Sequence, residues 1–69
     1  MKYLVILERG ENNSSAYSPD LPGCIAVSDT PEETMSLMRD AVRTHLESLQ
    51  LDGEPIPEPR TSADYAAVP

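Results

Sequence analysis

The chain of 69 residues has no tryptophan or phenylalanine, one cysteine, one histidine, three glycines and five basic residues. Each shortage excludes something. A single cysteine, Cys24, forbids a disulfide within the chain, and an unpaired thiol fits a reducing compartment. One imidazole and one thiol make no zinc site of ordinary spacing, so no metal or other cofactor is expected. Glycines this far apart form no phosphate-cradling loop. Lys2, Arg9, Arg39, Arg43 and Arg60 are scattered, and twelve acids against five bases give a net charge of -7. Phosphate contacts need clustered Lys and Arg, so direct binding of nucleic acid is not expected. No apolar run approaches the ~20 residues of a membrane span, and "MKYLVILERG" is too short for a signal-peptide core. The expected location is the cytoplasm.

A domain of this size buries only ~60% of the surface its unfolded chain exposes. With disulfide and metal excluded, a second subunit is the remaining source of stability, so a homodimer or homotetramer is expected. The acidity suits solubility and a basic partner.

What is present reads as strand, strand, strand, helix. Lys2 to Glu8 is rich in strand formers without Gly or Pro, and its continuous apolar run Tyr3–Leu7 suggests cover on both faces, or one buried face plus an interface. Arg9 to Ser15 is a loop, and Ala16 to Ser18 forms a short second strand. In "PDLPGC", Pro22 presets the first central residue of a type II turn and Gly23 supplies positive φ at the second. Cys24 to Val27 is the third strand. Ser28 to Gly53 reads as one helix: Thr30 caps, Pro31 takes the first turn, Glu33 completes a capping box, and Gly53 stops it. Met35, Met38, Val42, Leu46 and Leu49 share one face. The prolines of "GEPIPEPR" enforce an extended connector, and "DYAAVP" forms at most a short last strand. The fold class is α+β: a small antiparallel sheet of three to four strands with one long helix on one face. Residues 1–59 form the domain and 60–69 a tail.

Catalytic equipment is sparse. His45 is a candidate general base, or simply a polar residue near the negative helix end. Cys24 is a candidate nucleophile, or a small core hydrophobe. Glu8, Asp20, Asp29 and Asp40 are the carboxylates to consider for a divalent metal, yet nothing in their spacing demands one. Asp20 is expected to bond backbone in its own turn, and Asp40 to pair with Arg43. Met35 and Met38 suit core filling or an adaptable surface, and "EPIPEP" a spacer or a groove ligand.

The ordered string "YLVILE", "YSPDLPGCIAVSDTPEET" and a helix ending "LESLQLDGEPIPEP" resembles the HicB family of antitoxins over residues 3 to 59. Ser28 stands where that family often has Gly, and Thr34 where it often has Ala. The resemblance implies a partial RNase H fold and no enzymatic activity. It implies a partner too: HicA, a small basic RNA-cleaving toxin that the antitoxin covers. Partner contacts are expected at Tyr17, Asp20 and an exposed Leu21 beside the corner, and at Glu54 and Glu58 on the tail. Pro22, Gly23 and Cys24 are expected to build the corner, and Thr30 and Glu33 to cap the helix. Many family members carry a C-terminal DNA-binding domain. The ten residues after Pro59 do not accommodate one, so operator binding is not expected. The alternatives are an orphan scaffold or ligand-binding module, and a vestigial metal-dependent nuclease using Glu8, Asp20 and Asp40.

Overall fold

A computed structural model describes residues 1–69. It contains β1 (Ile6–Arg9), β2 (Ser14–Tyr17), β3 (Ile25–Ser28) and α1 (Pro31–Leu51). The strands form one antiparallel sheet in the order β1-β2-β3. Opposed residues share a face and neighbours along a strand alternate. The register therefore puts Leu7, Ala16 and Ala26 on one face, and Ile6, Tyr17 and Ile25 on the other. The helix covers the first face, lying over β3 and β2 and reaching β1 least. The second face carries no layer.

β1 pairs over a shorter stretch than the apolar run suggests, for a local reason. By register, Leu4 stands opposite Pro19, which has no N–H to give a ladder. The Ser18 hydroxyl donates to the Leu4 carbonyl instead, at 2.9 Å. Nor is the run covered on both faces: Leu7 is 40% exposed, because it lies beyond the flank of the helix. β2 begins two residues earlier than expected, since Ser14 and Ser15 pair with Arg9 and Glu8.

The corner makes two consecutive turns. Leu21 N–H donates to Ser18 O, and Cys24 N–H to Leu21 O, each at 3.1 Å. Gly23 sits at φ +89°, so the second turn is the type II expected of Pro-Gly. Both turns meet at Leu21 and drive its side chain inward, where it is fully buried. This corrects the expectation of an exposed Leu21. It joins Ala16, Cys24, Ala26 and Met38 as the core, with Tyr3, Val5, Val42 and Leu46 packed around them.

The helix begins at the expected cap, but only half of the capping box forms, because the Glu33 carboxylate does not reach back to the Thr30 N–H. Thr30 is extended at φ -129°, ψ 152°, and its Oγ1 accepts from the Glu33 N–H at 3.1 Å. Pro31 occupies the first turn, and Glu32 and Glu33 complement the positive helix end. It ends in a Schellman pattern: Gly53, at φ +69°, donates to Gln50 O, and Glu54 N–H donates to Leu49 O. Beyond it, residues 54–69 form no helix or strand. No strand forms at "DYAAVP", whose Tyr65 and Val68 are left in solvent with nothing to pack on.

Candidate functional site

Asp20 is the most connected polar residue at the corner. Its Oδ2 accepts from the backbone N–H of Arg60 at 3.0 Å and of Thr61 at 2.9 Å, and its Oδ1 accepts from the Thr61 hydroxyl at 2.8 Å. The bonds to Thr61 hold its carboxyl below the usual carboxylate range, with a smaller contribution from Arg60. The expectation that Asp20 serves its own turn is thus corrected. It clamps the tail, because the corner delivers it beside residues 60 and 61. A second pin lies nearby, where the Tyr3 hydroxyl donates to the Pro57 carbonyl. Glu54 and Glu58 are exposed on this pinned connector. Tyr17, 41% exposed, stands on the open sheet face between Ile6 and Ile25. Of the proposed contact residues, the structure brings Asp20 and the tail together, leaves Tyr17 on the open face, and removes Leu21 to the core.

The far end of the sheet brings Asp29 and Glu32 of the helix-entrance motif beside Glu11, which no sequence motif marked. A polar hollow of about 380 Å³ is bordered by Glu11 from the β1–β2 loop and by Asp29 and Glu32 from the helix entrance. They come from two segments, joined only because Ser14 and Ser28 pair across the sheet. Arg9 is the one base on its border.

The flank between β1 and α1 has the opposite character. A groove of about 650 Å³ is walled by Val5, Met35, Met38 and Val42 and edged by Lys2, Arg39 and Arg43. Three of the chain's five bases border it, with Arg43 tied to Asp40 at 2.9 Å as expected. Met38 is fully buried in the core; Met35 is half-buried in the groove wall.

The candidate catalytic groups do not converge. Glu8 projects from the open sheet face, Asp20 is held by the tail and Asp40 by Arg43. No group of three or more His, Cys, Asp or Glu side chains is close enough to hold a metal ion. Cys24 and His45 border one shallow depression. The thiol, however, is buried and aimed at the Ala41 carbonyl, 3.9 Å away. Burial pushes its pKa up, opposite to what a nucleophilic thiolate needs.

The chain is 36% identical over 58 residues to a UPF0150 protein of Thermoplasma acidophilum, covering 83% of this chain and 84% of that one. It is 33% identical over 57 residues to a UPF0150 protein of Synechocystis, covering 81% and 72% respectively. An uncharacterized 14.9 kDa protein from the rep-hol intergenic region of Haemophilus phage HP1 is 29% identical over all 69 residues, and the chain spans about half of it, 52%. No solved structure matches. No helix is long and apolar enough to cross a membrane. The family described as HicB-like antitoxin of bacterial toxin-antitoxin system matches residues 3–69. The chain belongs to the HicB-like antitoxin family.

Proposed function

We propose that this protein binds and occludes a small basic mRNA-cleaving toxin of the HicA type, working in the cytoplasm by contact rather than catalysis, as a self-associated protomer. The observation that carries the reading is the family match across residues 3–69. The charge distribution supports it: a net -7 surface attracts a basic RNA-binding face and speeds encounter with it. Polarity also selects the approach. The groove beside β1 is edged by Lys2, Arg39 and Arg43, which repel a basic protein. The toxin docks instead on acidic ground, at the hollow of Glu11, Asp29 and Glu32 or along the connector with Glu54 and Glu58.

The test is co-expression with a tagged product of the neighbouring reading frame, followed by an RNA-cleavage assay. The expected result is a stable complex with suppressed cleavage. A neighbour that cleaves RNA equally with and without this chain refutes the proposal. Charge reversal at Glu54 and Glu58 is expected to slow association at low salt; an unchanged rate removes the connector from the interface.

A further inference from the structure

The strand β3 ends the sheet on one side, and that edge is unprotected. Proteins usually blunt such edges with charge, proline or a bulge. Residues Ile25–Ser28 read Ile-Ala-Val-Ser, without charge or proline. Their backbone polarity follows from the ladder. Ser18 N–H bonds to Cys24 O, so Cys24, and by alternation Ala26 and Ser28, turn their backbone groups toward β2. Ile25 and Val27 therefore turn their N–H and C=O groups outward. Apolar side chains flank this row on both faces. Ile25 is 67% and Val27 58% exposed on the open face. Leu37, 48% exposed, stands on the helix side, bordering the same depression as Gly23 and Cys24.

We propose that β3 pairs antiparallel with β3 of a second copy about a twofold axis at Ala26, merging two three-stranded sheets into one of six strands. This gives a surface to the self-association in the reading above and does not depend on the toxin. With the axis at Ala26, each Ile25 faces the other copy's Val27. All outward groups of both residues are then mutually satisfied, and Ile25 and Val27 form cross-strand pairs on the open face. The helices of both copies stay on one side, with Leu37 beside the seam. The occupant is argued from charge. A second copy also carries -7, so a patch that must meet its own image is least repelled where it is neutral. The β3 edge is neutral and self-complementary, as an isologous contact requires. A basic protein gains no charge complementarity from an uncharged strand.

The test is light scattering on the full chain, with hydrogen exchange at high and low protein concentration. The expected mass is twice 7.5 kDa or an even multiple of it. The Ile25 and Val27 amides should exchange at least tenfold more slowly at high concentration. Ile25→Lys, and separately Val27→Pro, which removes an outward N–H, should halve the mass while the far-UV circular dichroism stays folded. Ile6→Lys on the open face of β1 should leave the mass unchanged. A monomeric wild-type chain overturns the proposal. So does an oligomer in which these amides stay unprotected, or one dissociated by Ile6→Lys but not by Ile25→Lys, which would mark packing through the open face. None of these results bears on whether a toxin is bound.

Discussion

Replacing Thr34 by valine isolates one hydroxyl in the interior. Thr34 is completely buried. Its Oγ1 lies 2.8 Å from Thr30 O, 3.2 Å from Ser14 O and 2.6 Å from the Ser28 hydroxyl. One hydroxyl thus ties α1 to both β2 and β3. In the arrangement that satisfies most groups, Thr34 donates to Ser14 O while the Ser28 hydroxyl donates to Thr30 O, 2.8 Å away, or to Thr34. Valine keeps the shape and removes the donor. Ser14 O keeps its ladder bond to Ser28 and Thr30 O its bond from the residue-34 N–H, so no carbonyl is stranded and the cost is that of the lost hydroxyl bonds, about 0.5–1.5 kcal/mol each. Burying the new methyl returns up to about 0.8 kcal/mol. The expected destabilisation is about 1 kcal/mol. A domain of this size has roughly 3–10 kcal/mol in total, and its Tm moves about 4–8 °C per kcal/mol. Thermal melts at fixed protein concentration should therefore show Tm lowered by about 4–8 °C. Ser28→Ala in the Thr34→Val background should cost less than Ser28→Ala alone, because the partners are coupled. A Tm within a degree of the parent would refute the argument that this hydroxyl holds helix to sheet.

Other outcomes follow from the same geometry. Asp20 has a lowered pKa, so its clamp is fully present above the ordinary carboxylate value of 3.8 and is lost as pH falls through its own lower pKa. The Arg60 and Thr61 amide resonances should shift on acidification below about 3.8, and Asp20→Asn should weaken the clamp at neutral pH; resonances unmoved by either change would deny it. Gly23→Ala meets open space but keeps φ +89°, so it should cost about 1–2 kcal/mol through backbone conformation alone, read by urea titration. Buried Cys24, with its raised pKa, should react with a thiol reagent far more slowly in the native protein than in urea; equal rates would contradict its placement in the core.

The local signals at the corner and the helix ends were readable because each is a rule about one backbone position. Pro22-Gly23 makes the type II turn, Thr30-Pro31 starts the helix, and Gly53 ends it. What escaped depends on distant partners. Leu21 lies among turn residues and looks exposed until two linked turns aim it inward. A large apolar side chain in a polar corner was the available hint. Thr34 looked like a small substitute at the helix start, and only the register of Ser14 against Ser28 shows what its hydroxyl meets. Asp20 and Thr61 are 41 positions apart, and no pattern links them. The acids of the far hollow are likewise assembled by strand pairing, so the partner surface was less legible than the fold.

The lopsided seat of the helix has a consequence for how the molecule comes apart. All five core residues belong to β2, β3, the corner or α1, and none to β1. Opening β1 therefore costs the partial burial of Tyr3 and Val5 but removes no fully buried side chain, while opening β3 or α1 dismantles the whole interior. Proteolysis and amide exchange should enter through the first nine residues, well below the free energy of complete unfolding. The amino-terminal strand is then a loosely latched flap on a cooperative unit of two strands, a corner and a helix.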